Sequence, residues 1–149
     1  MPLLSRRGLL AVAAVVDIAL NARGRPVSAG ALAARHGLRS RHLEPVLQAL
    51  VREGILKGVR GPRGGYELAR ERRRVTAEEI VRVAGAVHDG DGAAAPAPAL
   101  LQDVVIPAIS EAERAFSAAL SRITVADLVR RAEAGSQSAG KSAEGDFTI

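Results

Sequence analysis

From Ser5 to Ala22 the chain is rich in Leu, Val and Ala, and its apolar run Leu9–Val16 predicts a buried first helix. Gly24-Arg25-Pro26 turns the chain into a shorter helix, Ala29–His36. Ser28 stands where an N-cap is needed, its side chain accepting an N–H bond that the first turn leaves open. Val27 and Leu32 are spaced as a hydrophobic staple. Gly37 ends the helix, because it takes the left-handed conformation without steric cost. A third helix, Ser40–Glu53, gathers Leu43, Val46, Leu47, Leu50 and Val51 on one face and Arg41, Glu44, Gln48 and Arg52 on the other. Two short helices about a glycine turn, the second with long polar arms, form a helix-turn-helix.

Ile55–Arg60 and Gly65–Leu68 then read as two strands. Gly61-Pro62-Arg63-Gly64-Gly65 is the loop between them: its glycines permit close backbone approach, Pro62 stiffens it, and Arg63 is left at the tip. A tight basic hairpin directly after such a helix is a wing. Next, Thr76 and Glu79 fit a capping box, with Val75 and Ile80 as its staple, opening a helix over Ala77–Val87. His88–Pro98 predicts a flexible loop. The chain is then helical from Ala99 to Ser121, with a kink or fresh start at Pro107. Within it Val105, Ile109, Ala112, Phe116, Ala119 and Ile123 recur at three-to-four spacing, the pattern of a coiled-coil-like dimer seam. Thr124 caps a last helix, Val125–Ala134. Residues 135–149 are small, polar and glycine-containing, and are expected to be disordered.

Charge sharpens this picture. The net charge is +5, yet residues 35–74 alone carry eleven Lys or Arg against four acids. Spread over a helix-turn-helix and wing, that excess is the electrostatic footprint of a polyanion site. Aromatic residues make up only 2%, so the core must be built from Ala, Val, Leu and Ile in closely packed helices. There is no cysteine, which excludes disulfides, thiol switches and cysteine-ligated zinc or iron–sulfur sites.

Ser5-Arg6-Arg7-Gly8, Leu43-Glu44, the wing from Val59 to Ala69, and Ile123-Thr124-Val125-Ala126-Asp127-Leu128 together resemble the IscR/NsrR/CymR family of bacterial winged-helix transcription regulators. The resemblance covers about Leu3 to Arg131, and the wing is its most specific piece. It implies a homodimeric DNA-binding protein; many family members also carry an iron–sulfur cluster on three cysteines. Here the departure is complete, so no cluster or other cofactor is carried over. In the region where cluster-binding relatives have cysteines, His88, Asp89, Asp91 and Asp103 are the only side chains that could bind a metal, and they read as solvated loop residues. The family places a serine cap where this chain has Arg39. With Pro45 near the second turn, that predicts an irregular start to the third helix.

The expected architecture is mainly helical with a small β-hairpin wing. Residues 1–87 form a winged helix-turn-helix domain, 88–98 a loop, 99–134 dimerisation helices and 135–149 a tail. The candidate DNA contacts are Ser28, Arg39, Ser40, Arg41, His42, Glu44, Gln48 and Arg52, with Arg60, Gly61, Arg63 and Gly64 on the wing. The expected partners are double-stranded DNA, a second copy of the chain, and a small-molecule or protein effector if a signal exists. No membrane is implied. Ser5-Arg6-Arg7 before an apolar run imitates a twin-arginine export signal, but Asp17 interrupts the run and no clear cleavage site follows. The run is also shorter than the ~20 residues of a span, so a cytoplasmic protein is expected.

No catalytic constellation stands out. His36, His42 and His88 have no metal-binding spacing, and the wing glycines lack the Lys-Ser/Thr and helix of a phosphate loop. The competing class is a winged helix used for protein–protein contact, which would replace the basic face with an apolar patch.

Overall fold

The computed structural model describes residues 5–21, 24–87 and 99–145, the last nine of these as backbone only. Helices α1 (Arg6–Asn21), α2 (Ala29–Arg35) and α3 (Ser40–Arg52) lead into strands β1 (Leu56–Val59) and β2 (Gly65–Leu68). A short 3₁₀ turn (Arg72–Arg74), α4 (Ala77–Gly85), α5 (Ile106–Leu120) and α6 (Val125–Gly145) follow. The expected mainly helical fold with a two-stranded antiparallel wing is what forms.

The local signals act as physical chemistry requires. Ser28 Oγ accepts from the Ala31 N–H at 3.1 Å. Gly37 and Gly54, at φ 63° and 74°, end α2 and α3. The next residues, Leu38 and Ile55, donate back to the Ala33 and Leu50 carbonyls and so close two Schellman turns. Helix α3 has no side-chain cap and carries Pro45 inside it; its first turn is tightened by His42 N–H donating to the Arg39 carbonyl. Both halves of the Thr76–Glu79 capping box are made.

The core is aliphatic, as the composition demanded. Val15, Ile18, Leu32, Leu47, Leu50 and Ile80 are fully enclosed. Small residues on α1 let it lie close to α4: a Cβ on Gly8 would sit 3.6 Å from Val81 Cγ1. Val125 and Val129, at the start of α6, belong to this same core. They are held there because Ala77 N–H donates to the Ile123 carbonyl and Val125 N–H to the Val75 carbonyl, both at 2.8 Å.

The expected break at Pro107 forms, the expected end of the last helix does not, and each outcome has a clear cause. Before Pro107 the helix widens into a π turn, Leu101–Val105, closed by Ile106 N–H donating to the Leu101 carbonyl. A proline cannot donate to the carbonyl four residues back, and an inserted residue accommodates that loss. Helix α6 runs to Gly145, past Ala134 where the sequence reading ends it and places a disordered tail. The added stretch contains no proline, and its Ala, Gln, Lys and Glu sustain a helix despite three glycines.

Candidate nucleic-acid interface

The wing is fastened to the helix-turn-helix by backbone. Val27 N–H donates to the Tyr66 carbonyl at 3.0 Å and Tyr66 N–H to the Val27 carbonyl at 2.8 Å. Val27 thus extends the β1–β2 hairpin, and Ser28, its neighbour, caps α2. Gly65 makes this approach feasible: a Cβ there would lie 2.4 Å from the Val27 oxygen. Gly64 has the same constraint, its Cβ falling 2.2 Å from the Val59 oxygen. The register pairs Lys57 with Glu67, whose side chains form an ion pair at 3.3 Å, and Gly58 with Tyr66.

On α3, Arg41, His42, Glu44, Gln48 and Arg52 are exposed, as is Arg39 just before it, while Ser40 is half-buried. On the wing, Arg60, Gly61 and Arg63 are exposed and Gly64 is half-buried. Among the described residues, Arg39, Arg41, Glu44, Arg60 and Arg63 make no side-chain hydrogen bond or ion pair, so their charged ends are free for a ligand. Glu44 forms no side-chain pair with Arg41 or Gln48, its neighbours on the same face of α3.

The predicted residues divide among several clefts. Ser28, Arg63 and Gly64 share one with Arg25 and Arg35, between the wing loop and the turn before α2. Ser28, Arg60, Gly61 and Gly64 line a second with Tyr66. Gln48 and Arg52 border a third on the α4 side of α3, and His42 lies beside Arg6 and Arg7 at the start of α1. Burial pushes the Tyr66 phenol above its ordinary value, and the charge of Glu44 on α3 adds to the shift. Arg25 and Tyr66 escaped the sequence reading. Arg25 sits in a turn and Tyr66 on a strand, and only the fold brings them to the wing.

A buried ionic cluster was missed as well. Asp17 on α1 is 8% exposed. Its Oδ1 accepts from Asn21 Nδ2 at 2.9 Å and Arg35 Nη2 at 2.7 Å; its Oδ2 accepts from Arg35 Nε at 2.9 Å and meets His36 Nε2 at 3.0 Å. A carboxylate on the inward face of an apolar helix requires such partners, and that requirement was the available signal. The cluster holds the end of α2, and hence the turn into α3, against α1.

The predicted seam lies on an open face. Val105 is 42% and Ile109 52% exposed, Ala112 and Ala119 are exposed, and Phe116 and Ile123 are half-buried. Leu100, Val104 and Ile106 extend the same exposed apolar surface upstream. Of the side chains weighed as metal ligands, Asp103 is exposed, and His88, Asp89 and Asp91 lie outside the described residues. Among the described residues no helix is long and apolar enough to cross a membrane.

A family model described as Rrf2, iron-dependent transcriptional regulator, matches residues 4–131. A Haemophilus influenzae protein named as an HTH-type transcriptional regulator is 40% identical over 78 residues, 52% of each chain. The HTH-type transcriptional regulator IscR of Xenorhabdus nematophila is 35% identical over 78 residues, covering 52% of this chain and 48% of that one. The matched stretch thus spans about half the length of these relatives. The solved structure of T. potens IscR superposes with a TM-score of 0.67 at 30% identity, covering 89% of both chains. The iron in the family's description meets a donor set that does not suit a thiolate-held cluster: the chain has no cysteine, and among the described residues no three His, Asp or Glu side chains converge. The wing, the helix-turn-helix and the match over residues 4–131 agree, and the chain belongs to the Rrf2 family of transcriptional regulators.

Proposed function

We propose that the protein is a cytoplasmic homodimer that binds a pseudo-palindromic DNA operator sequence-specifically, most simply as a repressor. Helix α3 enters the major groove, and the wing lies on the minor groove or backbone. The observation that carries this reading is the set of exposed, unpaired cations on α3 and the adjoining wing, Arg39, Arg41, Arg60 and Arg63. Unpaired guanidiniums meet phosphate without first breaking an internal ion pair. Glu44 and Gln48, one turn apart on the exposed face, are suited to accept from cytosine N4 and to pair with adenine. The exposed apolar surface from Leu100 to Ile109 supports the dimer, because a surface of that kind marks an interface.

The test separates affinity from specificity. Arg63→Ala weakens binding to every duplex and lowers the salt slope by about one unit. Glu44→Ala relaxes base preference and leaves nonspecific affinity equal or higher, since it removes a negative charge facing phosphate. Affinities for a selected and a scrambled duplex at several salt concentrations decide both. An Arg63→Ala protein with unchanged affinity for both duplexes, or a Glu44→Ala protein with an unchanged ratio, overturns the assignment concerned.

A further inference from the structure

The cleft between the wing loop and the turn before α2 encloses about 840 Å³ and has three arginines in its walls, Arg25, Arg35 and Arg63. No carboxylate stands among its described lining residues. Arg35 is neutralised from outside the cleft by Asp17, at 2.7 and 2.9 Å. Arg25 and Arg63 are exposed, and among the described residues neither makes a side-chain hydrogen bond or ion pair. Two free guanidiniums therefore share one cleft with nothing of opposite sign to meet them, an arrangement that an anion completes. We propose that the backbone of one DNA strand runs through this cleft, with Arg25 and Arg63 on its phosphates. Arg25 is then a further DNA-contacting residue, and the wing tip is seated on the backbone instead of in the minor groove. This rests on the DNA reading above and decides between its two placements of the wing.

Both arginines ride on short, fixed turns. Gly24, at φ 75°, and Pro26 bracket Arg25, and a residue before proline is pushed toward extended backbone. Gly64 N–H donates to the Gly61 carbonyl at 2.9 Å, which closes a four-residue turn with Arg63 at its third position. The hydrogen bonds between Val27 and Tyr66 tie one turn to the other, two residues from Arg25 and three from Arg63. Guanidiniums presented from such a frame have less freedom to lose on binding than two on separate loops. Ser28 and Gly64 line this cleft and also the one that holds Arg60 and Tyr66, so the two are continuous across the wing. Arg63 shares its cleft with Arg25, whereas Arg60 shares the other with Val51 of α3. The two wing cations therefore face different parts of the duplex, Arg63 the backbone and Arg60 the side of the helix that enters the groove.

The test uses the full-length protein and a selected duplex in which one phosphate at a time is replaced by a neutral methylphosphonate. Neutralising a phosphate held by Arg25 or by Arg63 is expected to weaken the parent's binding about fivefold. Arg25→Ala is expected to abolish the loss at its own phosphate and leave the losses elsewhere intact; Arg63→Ala does the same at a phosphate on the same strand, within about two nucleotides of the first. Arg25→Ala also lowers the salt slope by about one unit and leaves the ratio of selected to scrambled affinity unchanged. Arg25→Lys, which keeps the charge, retains most of the slope, and Arg25→Gln loses it. Arg25 is exposed and unpartnered among the described residues, so these variants should unfold at the parent's urea midpoint. Diaminopurine in place of adenine adds an amino group to the minor groove and is expected to leave the effect of Arg63→Ala as it was. An Arg25→Ala protein with the parent's slope and methylphosphonate pattern overturns the clamp and leaves the DNA reading standing. So do phosphates assigned to opposite strands, or an Arg63 effect that diaminopurine abolishes. A parent protein that binds no duplex overturns both.

Discussion

Gly65→Ala is expected to unlatch the wing. The added Cβ would stand 2.4 Å from the Val27 oxygen, 2.5 Å from the Val27 carbonyl carbon and 2.8 Å from the Ser28 nitrogen. All three are backbone atoms, so no side chain can rotate away to admit it. The two hydrogen bonds between Val27 and Tyr66, at 3.0 and 2.8 Å, must lengthen or break. At roughly 0.5–1.5 kcal/mol for each, the loss comes to about 2 kcal/mol of stability. Gly58→Ala is the control on the facing strand: its Cβ meets nothing within 4 Å, and a change within about 0.5 kcal/mol is expected. Urea unfolding followed by circular dichroism measures both, at one fixed protein concentration because the stability of the proposed dimer would depend on it. The Gly65 variant should also lose affinity for its duplex, since Arg60 and Arg63 ride on the displaced hairpin. Equal unfolding midpoints for the two variants would refute the latch.

Thr76→Ala removes the capping-box oxygen that accepts from Glu79 N–H at 3.2 Å, and a loss of about 1 kcal/mol is expected in the same assay. Burial pushes the Glu79 carboxyl up, but the Thr76 N–H and Arg70 outweigh it and hold it below its ordinary value; hydrogen bonds from Thr124 hold Asp127 low as well. A carboxyl lowered on folding contributes its stability above the unfolded pKa and loses it as pH falls through the folded one. The urea midpoint should therefore drop from about pH 5 downward, less steeply in Glu79→Gln. Replacing Ile109 and Phe116 together with Glu places charge on the apolar stripe and should give a monomer; a light-scattering mass still at the dimer value would exclude that seam.

What could be read from the sequence depended on how far apart the cooperating residues lie. Ser28 as a cap, Gly37 as a stop, the wing loop and the Thr76–Glu79 box all act within a few neighbours, and each is formed. Gly54 repeats the signal of Gly37 at the end of α3. Asp17 is different: its partners Arg35 and His36 lie 18 and 19 residues away, on another helix. In sequence it reads as an interruption of an apolar run, and only packing turns it into the anchor of the helix-turn-helix. Gly65 likewise reads as loop flexibility, whereas its function is to leave room for Val27. The extent of α6 could not be weighed from composition, because glycine and serine weaken a helix without ending it.

The central claim is that α3 and the wing read DNA as a symmetric pair. Selection of bound sequences from a pool of random duplexes by the full-length protein tests it most directly. The account predicts enrichment of an inverted repeat whose half-sites are centred about one helical turn apart, roughly 10 base pairs. A pool that emerges unenriched, or one enriched in a single unrepeated motif, would contradict it.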